Sequence, residues 1–262
     1  MASSFIYQLD IYKYLQSVES DQDHVPKQNY LESKHLSSEM RSTTVDWLIA
    51  LGVVYRLENE TVHLAVQLFD RFLSLSTIKI TDLQLAGTAS FFIACKYEEV
   101  YPPKIGEMVY VMDGAGSKTD LINMELLILK TLDFYLGTPT KNVFLTHFGS
   151  LICTDQISFQ LASYYTELSL VTDSTLQFSS SVVAAASLAL ARFVLKIDDP
   201  WPKKIVIHSN LDLSDLYDCV FFLSSLAHEA RNCPQTKSVR DKYGYWKYNS
   251  VSKLKPPETL ER

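Results

Sequence analysis

Glycine and proline are scarce in this 262-residue sequence, at eight and nine residues. The apolar periodicity between them is helical almost throughout, so the expectation is an all-α protein. Cysteine is scarce too: Cys95, Cys153, Cys219 and Cys233 include no two at a short metal-ligand spacing, which argues against a zinc site. In apolar or helical surroundings such cysteines are small hydrophobes of a reducing compartment. No apolar run is long enough to span a bilayer; the longest, 182–191, is interrupted by Ser187. No positively charged leader followed by an apolar region opens the chain, so secretion is not expected. A basic excess is also missing. The net charge is −6 and the pI about 5.5, against a nucleic-acid partner.

What is present is helical patterning in two lobes, with a join near Gly137-Thr138-Pro139-Thr140. In the first lobe Val62, Ala65, Val66, Phe69, Phe72 and Leu73 recur at three- and four-residue spacing and lay one apolar stripe along a helix. Asn59 is the candidate cap of that helix. Thr81 with Gln84 has capping-box spacing for the next one, which runs towards Lys96 and is broken by Pro102-Pro103. Ser117 with Asp120 marks a further start, after a turn at Gly114 and Gly116. The second lobe repeats the plan with helices expected over 157–172, 180–196 and 214–232. The middle one is apolar nearly all round and belongs at the centre of a bundle. An amphipathic stretch also opens the chain, with Ile11, Tyr14, Leu15 and Val18 on one face and Tyr7 extending it. That face either docks on the chain's own second lobe or is presented to another protein. At the other end, Arg240, Lys242, Lys247 and Lys253 interleave with Tyr243, Tyr245, Trp246 and Tyr248. The expectation is that these rings pack on the body and the lysines stay in water.

No catalytic set stands out. The six histidines lie far apart in sequence, and no nucleophile-elbow, phosphate-loop or metalloprotease spacing occurs. Instead, single charges are embedded in apolar helices. Arg41 heads the run 40–48, Asp70 interrupts the stripe at 68–73, Glu125 sits inside 124–127, and Lys96 ends the run Phe91-Phe92-Ile93-Ala94. A cation at such a position must find acceptors at the protein's edge, since burying it unpaired is expensive. A partner could supply them.

The segment 94–103, with Lys96, Tyr97, Glu98, Glu99 and Pro102-Pro103, closely resembles the cyclin box of A- and B-type cyclins. Met40-Arg41 and Asp46-Trp47 agree with it, and Arg41, Asp70, Leu85, Lys96 and Glu125 match the box's signature positions. Asn59-Glu60-Thr61, His63-Leu64-Ala65-Val66 and the tail Pro256-Pro257-Glu258-Thr259-Leu260 extend the resemblance over nearly the whole chain. The tail, with Ser238-Val239-Arg240 and Lys242-Tyr243, points to A type. The resemblance implies two tandem cyclin-box bundles preceded by an N-terminal helix. The divisions are 1–36 (helix and connector), 37–137 (first box), 138–234 (second box) and 235–262 (a tail on the body). It further implies a regulatory subunit, itself no enzyme and without cofactor or metal, that binds and activates a cyclin-dependent protein kinase in S, G2 and M phase. The kinase-binding residues would be Lys96, Glu125, Phe134, Tyr97, Tyr7 and Ile11, with Lys96 donating to backbone carbonyls beside the kinase's mobile regulatory helix. Arg41 and Asp70 would form an internal ion pair. No nucleic-acid or membrane partner is expected, and the location would be nucleus and cytoplasm.

Two departures from the family pattern carry expectations. Met40, Trp47, Leu83 and Gln84 match a patch that recruits substrates or inhibitors with a basic-hydrophobic motif, but two patch positions usually filled by large aliphatics are Thr43 and Thr44, and an acidic one is Ala50. Docking there should be weakened or altered. Mitotic members also carry a long disordered amino-terminal segment with a degradation signal, which this sequence does not contain; it is either part of a longer chain or regulated differently. Three rivals differ in class. A general-transcription-factor module of the same fold would need a basic DNA-facing surface and a zinc ribbon, a helical-repeat scaffold would need a short recurring period, and an all-α enzyme would turn something over alone.

Overall fold

The computed structural model describes residues 2–32, 34–152 and 155–257, among which twelve α-helices and several single-turn 3-10 segments form and no strand. In chain order the helices are α1 Ala2–Glu19, α2 Ser38–Tyr55, α3 Asn59–Leu75, α4 Leu83–Glu98, α5 Ile105–Val111 and α6 Lys118–Thr131. They continue as α7 Lys141–Ile152, α8 Gln156–Val171, α9 Ser180–Val194, α10 Lys203–Ser209, α11 Leu213–Glu229 and α12 Lys237–Gly244. They fall into two compact units. One comprises Gln22–Thr140 with Leu170–Gln177; the other comprises Met1–Asp21, Lys141–Ser169 and Phe178–Arg262. Neither unit is continuous in sequence, because α1 is grouped with the later helices and the short 170–177 segment with the earlier ones.

The first unit is organised around α4, which packs on α3, α6 and α2. Leu83 and every residue from Leu85 to Cys95 is buried, so the helix has no solvent face until its last turn. Small residues permit that. At Gly87 an added Cβ would lie 2.9 Å from the Thr44 methyl of α2, and at Gly52 of α2 one would lie 2.4 Å from Val62 of α3. Both contacts are closer than side chains tolerate, so glycine sets how near the helices approach. On α3 the whole expected stripe, Val62, Ala65, Val66, Phe69, Phe72 and Leu73, is buried. Apart from Ala65, each such side chain contributes roughly 1.5–3 kcal/mol of transfer free energy.

The helix starts differ from expectation at two points. The N-cap of α3 is Glu58, with Asn59 already inside the helix. Its orphan amide is met from a distance: Glu99, just past α4, accepts from the Glu58 backbone N–H at 2.9 Å and the Thr61 hydroxyl at 2.6 Å. A tertiary carboxylate replaces the local cap. Thr81 and Gln84 form no capping box either, because a 3-10 turn at Ile80–Asp82 leads into α4 and makes Asp82 its N-cap. Ser117 and Asp120 do form one at α6, and Gly114 turns the chain before it at φ 88°. Beyond Pro102-Pro103 the short α5 was not anticipated from the apolar pattern.

The second unit repeats the scheme around α9, buried from Val183 to Arg192 and packed on α7 and α11. Helices α8, α9 and α11 stand close to their expected spans. Helices α7, α10 and α12 were not foreseen, the last two because seven or eight residues give too little periodicity to read. The sequence face assigned to α1 needs correcting: Tyr14 is exposed, and the anchor is Tyr12, 1% exposed. Tyr12 donates to the Ser209 carbonyl at 3.2 Å and stacks on His147 at 5.6 Å between ring centres. Glu19 accepts from the Ser181 amide and hydroxyl at 2.7 and 2.6 Å at the start of α9, fixing the other end of α1. Helix α1 is thus docked within its own unit, while Tyr7 stays 69% exposed.

The tail also departs from expectation. Tyr243 is buried against Tyr164 and Tyr248, but Trp246 is 83% exposed. Lys242 is not in water; it is buried, donating to Glu167 at 2.6 Å, with the Tyr243 hydroxyl on the same oxygen at 3.0 Å. A buried carboxylate on α8 needs a cation, and α12 supplies it. Cys95 and Cys219 are buried free thiols pushed up to about 12 by burial, while Cys153 lies outside the described residues.

Candidate functional site: a charged pair on the first bundle

Helix α4 emerges from the core only at its final turn, and the first residue to do so is Lys96. Helix α6 packs alongside and brings Glu125 to it. The Lys96 ammonium hydrogen-bonds Glu125 Oε1 and lies 4.2 Å from the centre of the Phe92 ring. The lysine side chain is 38% exposed and the glutamate 17%. An ammonium has three donors, and Glu125 takes one, leaving two for acceptors outside the chain. Its place in the last helical turn also suits the negative end of the α4 dipole.

Exposed aromatic side chains stand at the ends of both helices that carry the pair. Tyr97 follows Lys96 and is exposed, with its hydroxyl 3.3 Å from where a Cβ on Gly137 would be. Phe134 stands exposed on the turn after α6. Its backbone is at φ 58°, next to Asp133 at 49°, and its N–H reaches back to the Leu129 carbonyl at 2.8 Å. A bulky residue in the left-handed region is held against its own preference, a form of strain concentrated at functional sites. Ile122 and Leu126 on α6, with Val100 and Tyr101 after α4, add exposed apolar area. Sequence reasoning missed these four, although the spacing 122, 125, 126 on one helix makes Ile122 a neighbour of both Glu125 and Leu126. Tyr7 and Ile11 belong to the other unit.

The same unit holds a second pair of different character. Arg41 of α2 and Asp70 of α3 are 1% and 2% exposed. Arg41 Nε and Nη2 donate to the two Asp70 oxygens at 2.7 and 2.6 Å, and its Nη1 donates to the Leu170 and Val171 carbonyls, each at 3.0 Å. The Tyr30 hydroxyl adds a bond to Asp70 at 2.9 Å. Burial works against the Arg41 charge, but the Asp70 carboxylate and its neighbours outweigh it and leave the guanidinium more basic than in water. Burial, then Asp70, push the Tyr30 phenol strongly up. This pair is sealed and structural.

Of the patch residues, Met40 is exposed, Trp47 and Gln84 are half-buried and Leu83 is buried. Thr43 is exposed; the Thr44 hydroxyl bonds the Met40 carbonyl at 3.0 Å, which turns its polar end into the helix. The structure brings two histidines together, His147 and His208, Nε2 to Nε2 at 2.8 Å. No cluster of three or more metal-ligating side chains occurs among the described residues, and none of their helices is long and apolar enough to cross a membrane.

Comparison with known proteins matches these features to one family. A profile described as "Cyclin, N-terminal domain" covers residues 10–137 and one described as "Cyclin, C-terminal domain" covers 139–257. The chain is 39% identical over 97% of its length to a G2/mitotic-specific cyclin-A of Patella vulgata, spanning 59% of that protein. It is 38% identical, again over 97% of its length, to cyclin-A2 of Homo sapiens, spanning 59% of it. In fold it is similar to a viral cyclin from herpesvirus saimiri, with a TM-score of 0.73 and 19% identity over 89% of this chain and 99% of that one. The chain therefore belongs to the cyclin family and resembles its A-type members.

Proposed function

We propose that this chain is the regulatory subunit of a cyclin-dependent protein kinase, acting in the S, G2 and M phases, and that it performs no chemistry itself. The observation that carries this reading is the exposed Lys96–Glu125 pair, with Tyr97 and Phe134 exposed in the same unit. A lysine with donors to spare, oriented by a carboxylate and ringed by apolar surface, is built to grip backbone carbonyls of another protein. Kinase catalysis needs a lysine–glutamate ion pair and correct metal placement, both governed by the position of a mobile helix. A subunit that binds only the active arrangement shifts that population. Moving it from mostly inactive to mostly active takes about 5.5 kcal/mol of differential affinity. Lys96, Glu125, Phe134 and Tyr97 supply the centre of this interface; Tyr7 and Ile11 of α1, in the other unit, also bind the kinase.

Substrates or inhibitors with a basic-hydrophobic motif dock at Met40, Trp47, Leu83 and Gln84, with affinity reduced by Thr43, Thr44 and Ala50. The complex works in nucleus and cytoplasm. The deciding experiment is activation of a purified cyclin-dependent kinase catalytic subunit by the chain and its variants. Lys96→Ala and Glu125→Ala should abolish activation with helix content unchanged, and Tyr7→Ala should weaken binding modestly. Full activation by either of the first two would refute the assignment.

A further inference from the structure

A cleft of about 380 Å³, remote in sequence from the residues above, is lined by Arg231, Asn232, Arg240 and Ser252. It is formed where the chain leaves α11, by α12, and by the turn at Val251–Lys253. Among the described residues its two arginines bond only backbone carbonyls. Arg240 donates through Nη1 to the Arg231 carbonyl and through Nη2 to the Cys233 carbonyl at 3.2 Å. Arg231 donates to the Lys253 carbonyl at 3.3 Å. Among the described residues no carboxylate lies within 4.0 Å of either guanidinium.

A guanidinium carries five donors, so most remain unused. One of them, Arg240 Nε, is shut off from solvent with no hydrogen-bond partner, so donors to a ligand must come from the Nη atoms. The surroundings reinforce the imbalance. Between Arg231 and Lys255 the sequence has seven lysines and arginines against Asp241 alone, in a chain of net charge −6. Nearby Glu229 is held by the Ser225 hydroxyl at 3.2 Å. The Ser252 hydroxyl donates to the Arg240 carbonyl at 3.0 Å, pinning the turn against α12 and fixing the cleft's shape.

We propose that this cleft binds a phosphate monoester group, carried on a serine or threonine of another protein, through Arg231 and Arg240 with the Asn232 amide. Guanidinium forks match phosphate oxygens bidentately. The cleft holds one such group, and the chain's overall negative charge opposes an extended polyanion. The choice of a phosphorylated protein as bearer rests on the kinase-partner reading; the affinity for phosphate does not.

The test titrates the full chain with inorganic phosphate, with a phosphoserine peptide and its unphosphorylated twin, and with a single-stranded oligonucleotide, by calorimetry at fixed salt. The phosphopeptide should bind at least about tenfold more tightly than its twin. Arg231→Gln, which gives up a single carbonyl bond, should erase that preference by about the same factor, with far-UV circular dichroism unchanged. Arg240→Gln should do the same, and if it fails to fold the Arg231 variant carries the test. Equal binding of the two peptides, undiminished preference in Arg231→Gln, phosphate binding without phosphopeptide binding, or tighter binding of the oligonucleotide would each overturn the proposal. Because Lys96→Ala should leave these titrations unchanged, failure of the kinase reading would be seen separately.

Discussion

Asp70→Asn is the most informative single perturbation of this fold. The substitution keeps the side chain's shape and removes its charge. The Arg41 guanidinium, 1% exposed, is then left in the core with two carbonyls and an amide that must present an NH₂ group to one of its donors or to the Tyr30 hydroxyl. Stranding one partner of a buried pair costs about 3–5 kcal/mol. Against a total stability of roughly 5–15 kcal/mol this is a large fraction, and it should lower the thermal midpoint by roughly 6–20 °C. Urea unfolding at pH 7, followed by far-UV circular dichroism, measures it. The double variant Arg41→Met with Asp70→Leu should lose markedly less than Asp70→Asn alone, since it removes the desolvated charges together. Tyr30→Phe should cost only about 1 kcal/mol, the net worth of one hydrogen bond. If Asp70→Asn lost no more than about 1 kcal/mol, the guanidinium would have to be reaching solvent, and the sealed-pair account would be wrong.

Acid should loosen the anchor of α1. Burial, then His208, push His147 down from 6.5 to about 4, and burial pushes His208 down as well. The groups facing the pair are the rings of Tyr12, Phe148 and, through Tyr12, Phe144. Above about pH 6.5 both states are unprotonated and nothing is lost; as pH falls towards 4 the unfolded chain takes up protons that the folded one resists, so stability drops. The loss should be about 2 kcal/mol after allowing for solvent at the pair's edge, and His147→Phe should flatten the slope in a pH series of urea midpoints. At the proposed docking patch, an arginine-x-leucine peptide should bind more weakly than to an ordinary A-type cyclin when compared by fluorescence polarisation. Ala50→Glu should recover roughly two- to fivefold, as an exposed ion pair allows; equal affinity for the two parent proteins would remove the patch argument.

Sequence by itself determined the helices whose apolar stripes are long: α3, α4, α8, α9 and α11 were legible because burial on one face, or all round, writes itself at three- and four-residue spacing. It also marked Lys96 and Glu125 as charges out of place in apolar runs. Tertiary structure alone decided what those charges do. Whether a lysine at the end of α4 is sealed or exposed depends on where α6 and the turn at Phe134 lie, and on Glu99 capping α3 from 41 positions away. The same distinction separates Lys242, which periodicity leaves on a polar face, from the buried partner of Glu167 that it is. Tyr12 was likewise invisible as the α1 anchor, because it lies off the face that Ile11, Tyr14, Leu15 and Val18 mark, and the face that docks is chosen by the surface it meets. Local pattern fixes which residues can be helical; long-range packing fixes which charges lose their water, and that sets what the surface can hold.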